Sequence, residues 1–378
     1  MSKKNILIAC SMDRSLIGFR GDFIKDLIKE GYNVFTASPN LTKPIAEKLI
    51  EYGAVPLEYN LIRAGISPLG DLRSIKQLKQ IMIAHDIHLV FPYTIKPVIY
   101  ASMAANKLNI PVISLITGLG FTFTGVSSKA RILQKVVEFL YKKSIRKNSL
   151  VIFQNIDDQK LFQERGILKL NQKTDVVDGS GVNLERYNFR INNKTEGNII
   201  FIFVARLIKE KGIHLFINAA KELKQKFPNA QFHVVGAPDQ SPSSIKPEEI
   251  HELDKKGIIN YHGRVNNVPE LLQHSDVFVL PTYYREGVPR SILEALSVGL
   301  PIITTDTPGC RETILNDQNG VLIQPNQQEE LTDAMRFFLE NKKKIKEMGK
   351  ESRKLAENKF DVNIINKKLI NHINQSLS

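Results

Sequence analysis

The chain has 378 residues, of which 42% are hydrophobic and 24% are charged, and its formal net charge is +13. This length fits two or three domains that each bury a core, and because no apolar run approaches the roughly 20 residues of a bilayer span, we expect no membrane-spanning helix. The positive charge predicts an anionic ligand, but without a helix-turn-helix, zinc-finger or RNA-binding signature we expect no nucleic acid partner.

The two cysteines and the N-terminal segment indicate a cytoplasmic protein. Cys10 and Cys310 are far apart and lack metal-ligand spacing, so we expect unpaired packing residues and no bound metal. The apolar part of MSKKNILIACS is too short for a signal peptide and is typical of a first strand.

The chain opens with a strand, loop, helix and strand. KNILIACS is the first strand, a loop with Gly18 and Gly21 follows, and a helix is predicted over Asp22 to Lys29. The loop lacks the G-x-G-x-x-G pattern, which argues against an NAD-linked oxidoreductase. Arg20 in this loop either contacts an anionic substrate or lies exposed to solvent.

Two glycines follow the buried strand Pro111 to Ile116, in the sequence Thr117-Gly118-Leu119-Gly120. Such glycines allow a ligand to approach the backbone closely, or they form a tight turn.

Residues 127–150 are basic and amphipathic. Seven lysine or arginine residues accompany the single acid Glu138, and apolar residues recur at helical spacing. The pattern predicts a helix that lies on an anionic membrane surface. The alternative is a packed helix whose basic face is solvated.

A domain boundary is expected near residues 183–197, where the GSGVN turn is followed by a polar stretch. We therefore predict an N-terminal domain over 1–183, a C-terminal domain over 184–360 and a C-terminal helix over 361–378.

The second domain begins with a buried strand over Ile199 to Val204, followed by Arg206, Lys211 and Gly212 before the next helix. Two cations in a strand-to-helix loop suit a diphosphate.

Residues 276–311 form a strand, loop, helix and strand, and Pro289 marks the start of the helix. The first N–H groups of this helix, around Arg290 and Ser291, predict an anion site at the end of a strand. Glu286 lies in the loop and Glu294 in the helix, eight residues later.

The segment EGVPRSILE, with its E-x7-E spacing, and the following GLPIITTDTPGCRE resemble the family 4 retaining glycosyltransferases. The resemblance implies an α/β GT-B fold of two Rossmann-like, doubly wound domains that face a central cleft. It also implies that the GSGVN turn marks the crossing between the domains and that the C-terminal helix over 361–378 returns to the first domain. It implies a UDP-sugar donor and no cofactor, and the chain lacks the D-x-D pattern of metal-dependent transferases. In the family, the position of Glu286 faces the sugar hydroxyls and that of Glu294 binds the ribose.

The same resemblance assigns the remaining candidate residues. Catalysis is assigned to Glu286, Arg206 and Lys211, and the acceptor side to Thr117, Gly118, Leu119 and Gly120. The nucleotide-sugar site is predicted to comprise Gly18, Arg20, Arg206, Lys211, Gly236, Arg264, Val265, Glu286, Gly287, Val288, Arg290, Ser291 and Glu294.

Thr117 stands where many family members have histidine, and the TGLG sequence resembles a bacterial subgroup that acts on undecaprenyl-diphosphate-linked glycans of capsule, O-antigen or N-glycan assembly. We therefore expect transfer of a hexose or N-acetylhexosamine to a lipid-linked saccharide at the inner face of the cell membrane. The alternatives are a UDP-sugar epimerase of the same fold and a non-enzymatic basic protein that binds membranes or nucleic acid.

Overall fold

The computed structural model describes residues 3–62, 65, 67–120, 123, 128–190, 197–239, 243–315 and 317–378; of residues 128–130, only the backbone is described. The chain divides into two compact units. The first comprises Met1–Gly181 and Val362–Ser378, and the second comprises Val182–Asp361. The division therefore falls two residues before the boundary expected from the sequence.

The first unit is built on parallel strands, because each apolar run is followed by a helix that returns the chain to the same edge. Its strands are β1 (Asn5–Ala9), β2 (Asn33–Ser38), β3 (Val55–Glu58), β4 (Leu89–Pro92), β5 (Ile113–Ile116), β6 (Leu150–Phe153) and β7 (Thr174–Val176). They pair in the orders β3-β2-β1-β4 and β5-β6-β7, and parallel bridges from Val90 to Val112 and from Tyr93 to Leu115 join β4 to the segment around β5.

The helices of this unit are α1 (Arg14–Gly18), α2 (Gly21–Lys29), α3 (Lys43–Glu51), α4 (Pro68–Ala84), α5 (Ile95–Asn106), α6 (Ser128–Ile145) and α7 (Ile156–Glu164). Helix α5 is buried along most of its length and packs against both α4 and α6. The outer faces of α4 and α6 therefore form much of that side of the unit.

The second unit contains one parallel sheet of six strands. They are β8 (Ile200–Val204), β9 (Gln231–Val235), β10 (Asn260–Gly263), β11 (Val277–Leu280), β12 (Ile302–Thr305) and β13 (Gly320–Ile323). The order β10-β9-β8-β11-β12-β13 is that of a Rossmann-type sheet, with its switch point between β8 and β11. Ligands of such sheets bind at the carboxyl ends of the strands beside the switch point.

The helices of this unit are α8 (Ile213–Lys226), α9 (Pro247–Lys255), α10 (Val268–Gln273), α11 (Arg290–Val298), α12 (Gln328–Glu340) and α13 (Lys342–Leu355). A π-helical turn, Ala356–Phe360, continues α13. The core is formed by the apolar strands and the inner faces of these helices, and it includes Phe232, whose ring contacts those of Phe201 and Phe216.

The last helix, α14 (Val362–Leu377), packs in the first unit, where Ile365, Leu369 and Ile373 join the core that contains β1. Lys368 and His372 contact the carboxylate of Asp175 at 3.0 and 2.6 Å.

Two sequence-based predictions of the helices differ from the structure. The loop that holds Gly18 contains the short helix α1, which Asp13 caps by accepting from the Arg14 N–H. The basic helix predicted over 127–150 is described from Ser128 and ends at Ile145. It ends early because the next residues form a turn in which the amide of Asn148 is hydrogen-bonded to Ser102, and β6 starts at Leu150.

The polar stretch expected to link the domains is packed on the second unit as far as the structure describes it. Arg190 is 8% exposed, its N–H donates to the carbonyl of Val298, and its guanidinium lies 3.5 Å from Asp276. Residues 191–196 lie outside the described part of the chain. Among the described residues, no helix is both long and apolar enough to cross a membrane.

Candidate active site

The candidate site lies at the carboxyl ends of β8 and β11. A short 3₁₀ turn, Lys209–Lys211, follows β8, and Gly212 then adopts a φ of +81° before α8. A Cβ at Gly212 would lie 2.3 Å from the carbonyl oxygen of Pro281, directly after β11. Glycine at this position therefore allows the loop that carries Lys211 to pack against the loop that carries Glu286.

One carbonyl holds the two loops together. The carbonyl oxygen of Glu210 accepts hydrogen bonds from the N–H of Tyr283 at 2.9 Å, the N–H of Tyr284 at 3.2 Å and the hydroxyl of Thr282 at 3.0 Å. The hydroxyl of Thr305, at the end of β12, donates to the carbonyl of Thr282. The ends of three neighbouring strands are thus fixed to one another.

Lys211 and Glu286 form an ion pair in which the ammonium donates to Oε1 of the carboxylate. Their side chains are 9% and 22% exposed, so water screens this pair less than a surface pair. The buried thiol of Cys310 lies beside it. Burial, reinforced by the charge of Glu286, raises the pKa of Cys310 to about 11, which keeps the thiol neutral.

Arg206 is paired with a residue that was not among the sequence candidates. Its Nη1 lies 2.9 Å from Oδ2 of Asp239. The guanidinium also lies over the ring of Tyr284, 5.5 Å from its centroid, and the ammonium of Lys211 lies 5.6 Å from the same centroid. Tyr284 therefore contacts both cations predicted to bind the diphosphate.

Helix α11 starts at Arg290, with Pro289 as its N-cap and no acidic residue in its first turn. Arg290 Nε lies 3.2 Å from Oε1 of Glu294, and both side chains are largely buried. Tyr187 is also against Glu294: burial, with the charge and hydrogen bonding of Glu294, raises the pKa of Tyr187 above its ordinary value. The second glutamate is thus held by an arginine and a tyrosine.

Gly236 and Gly263 join the ends of β9 and β10 through a hydrogen bond of 2.8 Å from the Gly236 N–H to the Gly263 carbonyl. A Cβ at Gly236 would lie 1.9 Å from the carbonyl oxygen of Ala205, which precedes Arg206. Arg264 is exposed and Val265 packs at the edge of the core. These residues continue the strand-end surface on the β9 side of the switch point.

The backbone of Gly309 packs closely against the loop that carries Glu286. This glycine has a φ of +86°, and a Cβ there would lie 1.4 Å from the carbonyl oxygen of Gly287. Val288 is buried. Ser291 lies at the second position of α11.

The predicted residues of the first unit lie in two places. Gly18 is exposed at the end of α1, and Arg20 is 1% exposed with its guanidinium 5.7 Å from the ring centroid of Tyr93. Thr117, Gly118 and Gly120 are partly exposed after β5, whereas the side chain of Leu119 is buried in the core. The side chain of Leu119 is therefore shielded from any ligand at this surface, in contrast to the neighbouring Thr117.

Both halves of the chain match glycosyltransferase family models. Residues 14–155 match the model described as glycosyl transferase 4-like, and residues 185–355 match the model described as glycosyl transferases group 1. The chain belongs to the family 4 glycosyltransferases. The expected family and the GT-B fold class are confirmed.

Two relatives of this glycosyltransferase have specific names. The Campylobacter jejuni protein named N,N'-diacetylbacillosaminyl-diphospho-undecaprenol alpha-1,3-N-acetylgalactosaminyltransferase is 29% identical over 364 residues, which is 93% of each chain. The Escherichia coli protein named UDP-Gal:alpha-D-GlcNAc-diphosphoundecaprenol alpha-1,3-galactosyltransferase is 26% identical over 309 residues, covering 79% of this chain and 78% of that protein.

The glycosyltransferase also resembles solved structures. Anabaena Alr3699/HepE in complex with UDP aligns with a TM-score of 0.76 at 19% identity, over 98% of this chain and 100% of that one. A glycosyltransferase from Rickettsia africae aligns with a TM-score of 0.79 at 17% identity over the whole of both chains. At these identities the likeness supports the fold.

Sequence reasoning about this glycosyltransferase missed Asp239, Tyr284 and Tyr187 as neighbours of the candidate residues. Tyr284 lies two residues before Glu286 in the loop that the sequence had identified, so its proximity could have been inferred. Asp239 and Tyr187 are distant in sequence from their partners and carry no motif. The described residues contain no cluster of three or more side chains able to hold a metal ion.

Proposed function

We propose that this glycosyltransferase moves a hexose or N-acetylhexosamine from a UDP-sugar to a saccharide linked to undecaprenyl diphosphate. The observation that carries the proposal is the meeting of Lys211, Arg206 and Glu286 at the strand ends beside the start of α11. A diphosphate needs cations and N–H donors, and a sugar needs an acceptor for its hydroxyls. The site combines both, and the two named relatives act on undecaprenyl-diphosphate-linked substrates.

The donor diphosphate is assigned to Arg206, Lys211 and the first N–H groups of α11. These groups would stabilise the negative charge that grows on the leaving oxygen, and their stabilisation would be greater in the transition state than in the ground state. A metal ion is not required for this role, so we propose a metal-independent reaction.

Glu286 is assigned to the hydroxyls of the transferred sugar and Glu294 to the ribose. The backbone at Gly236, Arg264 and Val265 is assigned to the base. Gly18 and Arg20 remain assigned to the donor side, and Thr117 to Gly120 to the acceptor side, as predictions from the sequence.

The proposed reaction retains the anomeric configuration. The bond from the anomeric carbon to the UDP oxygen breaks, and a bond from the same carbon to the acceptor oxygen forms on the same face. The proton of the acceptor hydroxyl passes to an oxygen of the leaving diphosphate. The products are UDP and the lengthened lipid-linked saccharide.

We further propose that the protein is cytoplasmic and works at the inner face of the membrane, which α6 contacts. This helix exposes Ile132 (67%) and Phe139 (55%). Arg131, Lys135 and Lys142 are exposed around them. The two apolar residues are seven positions apart and so share one helix face. Apolar side chains among cations suit the headgroup region of an anionic bilayer.

The test incubates the protein with a panel of UDP-sugars, beginning with UDP-GalNAc and UDP-Gal, and with undecaprenyl-diphosphate-linked saccharides. We expect a product that is heavier by one sugar by mass spectrometry, an α-linkage by NMR, and unchanged turnover in EDTA. The Glu286→Ala variant is the control for contaminating transferases. Release of an epimerised UDP-sugar without an acceptor would contradict the transfer reaction, and loss of turnover in EDTA would contradict metal independence.

A further inference from the structure

Three cations of the candidate site in the second unit are each paired with a carboxylate of the same unit. The pairs are Arg206 with Asp239, Lys211 with Glu286, and Arg290 with Glu294. Glu286 and Glu294 have proposed ligands of their own, the sugar and the ribose. Asp239 has no such assignment, and its presence beside a phosphate-binding arginine requires an explanation, because a carboxylate there repels a diphosphate.

The Arg206–Asp239 pair differs from the other two in exposure. The side chains of Arg206 and Asp239 are 51% and 30% exposed. The members of the other two pairs are all less than a quarter exposed. An exposed pair is held weakly, because solvent screens the attraction and both side chains lose rotamer freedom. A diphosphate could therefore displace Asp239 at a small free-energy cost.

Arg206 would keep its position during such an exchange. Its guanidinium lies over the ring of Tyr284, and the Tyr284 N–H donates a hydrogen bond to the Glu210 carbonyl. Asp239 is also anchored through its own N–H, which donates to the hydroxyl of Ser244 at 2.9 Å. The cation and the carboxylate are thus presented to each other by separate loops, after β8 and after β9.

We propose that Asp239 is a resident counter-ion that competes with the donor diphosphate for Arg206 and so weakens nucleotide binding and promotes release of UDP. The proposal rests on the proposed function, because it takes a UDP-sugar as the donor. Its consequence is unusual for a residue beside a binding site: removal of the charge should tighten binding. A residue that contacts the nucleotide, or one that orients Arg206 for it, would weaken binding when changed.

The experiment titrates UDP calorimetrically at one fixed, low ionic strength into the full-length protein. The variants are Asp239→Asn, Arg206→Ala and the double variant. Asp333→Asn is the matched control, because Asp333 is paired with Arg336 on α12 of the same unit and the change removes the same charge. We expect Asp239→Asn to lower the Kd of UDP about two- to fivefold, which lies within the range of a solvent-exposed ion pair.

In the Arg206→Ala background, Asp239→Asn should leave the Kd unchanged, because the competition acts through Arg206. The Asp333→Asn control should leave it unchanged as well. An unchanged or higher Kd in Asp239→Asn, or equal tightening with and without Arg206, would overturn the proposal while the UDP donor stands. If the unaltered protein binds no UDP, the proposed donor fails and this inference fails with it.

Discussion

The ammonium of Lys211 donates a hydrogen bond to the carboxylate of Glu286, although 75 residues separate them in sequence. The pair joins the loop after β8 to the loop after β11, across the switch point of the sheet. It neutralises two charges in a poorly hydrated place and holds the carboxylate in one orientation. The residue assigned to the sugar and a residue assigned to the diphosphate are therefore positioned by each other.

Replacing either of the two cations assigned to the diphosphate should slow catalysis. We expect Arg206→Ala and Lys211→Ala each to lower kcat by on the order of a hundredfold, because each removes a charge that stabilises the leaving diphosphate. Steady-state transfer assays measure this. Lys211→Ala should also lower Tm, since it leaves Glu286 without this cation, whereas the more exposed Arg206 should change Tm little. Near-normal turnover in both variants would contradict the assignment.

Replacing Glu286 and replacing Glu294 should have different effects on UDP binding. Glu286→Ala should abolish transfer while the affinity for UDP is largely kept, because this carboxylate is assigned to the sugar. Glu294→Ala should instead weaken UDP binding, because it is assigned to the ribose. Calorimetric titration of UDP into both variants measures the difference, and equal losses of UDP affinity would show that the two roles are wrongly divided.

Replacing Gly309 should lower activity by displacing the loop that carries Glu286. Gly309→Ala places a Cβ 1.4 Å from the Gly287 carbonyl oxygen and 3.0 Å from that of Glu286, so the loop must move. We expect kcat to fall at least tenfold, since displacements near 1 Å are costly in catalysis. The control is Gly257→Ala, which has the same sign of φ, +66°, and no atom within 4 Å. Comparable losses of kcat in the two variants would indicate that backbone strain alone, and not displacement of the Glu286 loop, causes the effect.

His233 makes the second unit sensitive to acid. Burial, assisted by the nearby His262, lowers the pKa of His233 from 6.5 to about 4. The unfolded chain therefore takes up the proton at higher pH than the folded one. The contribution of neutral His233 to the free energy of unfolding is therefore fully present above pH 6.5 and declines as the pH falls towards 4.

The free energy of unfolding should fall between pH 7 and pH 5. We expect this fall to be smaller in His233→Gln than in the unaltered protein, by on the order of 1 kcal/mol after allowance for solvent screening. Denaturant unfolding at several pH values measures it. His274→Gln, at an exposed helix end, is the control and should keep the full pH dependence of the unaltered protein. The same dependence in His233→Gln would refute the assignment.

The proposed contact of α6 with the membrane predicts the effect of replacing its exposed apolar residues. The double variant Ile132→Ser/Phe139→Ser should bind vesicles containing phosphatidylglycerol at least tenfold more weakly, because both side chains lose apolar burial. Sedimentation with vesicles measures this. Ile50→Ser/Leu170→Ser is the control, since these residues are 61% and 92% exposed elsewhere in the same unit. An equal loss in the control would indicate that surface hydrophobicity in general, and not α6, carries the binding.

The alternating strands and helices were predictable because buried parallel strands are apolar along their whole length. Lys211 and Glu286 were predictable as members of one site, since both follow strands and strand ends meet at one edge of a sheet. Their direct pairing was not, because spacing in sequence does not fix where two side chains point. The end of α6 at Ile145 was missed for a similar reason: the side-chain amide of Asn148 donates to the hydroxyls of Ser102 and Ser114, which lie 46 and 34 positions earlier.

The pair of Asp239 with Arg206 could not be predicted at all. Each residue lies in a strand-to-helix loop where charged residues are common, and no pattern distinguishes a carboxylate that holds a cation from one that faces water. Only the adjacency of β8 and β9 in the sheet brings the two loops together.

The second unit is one continuous insertion in the chain of the first. Val182 and Asp361, its first and last residues, form a parallel bridge, and the Val182 N–H donates to the Phe360 carbonyl. During synthesis from the N-terminus, the second unit can therefore complete its fold while the first still lacks Ile365, Leu369 and Ile373 from its core. The first unit is therefore completed after the second, and removal of Val362–Leu377 should expose the hydrophobic interior of the first unit rather than that of the second.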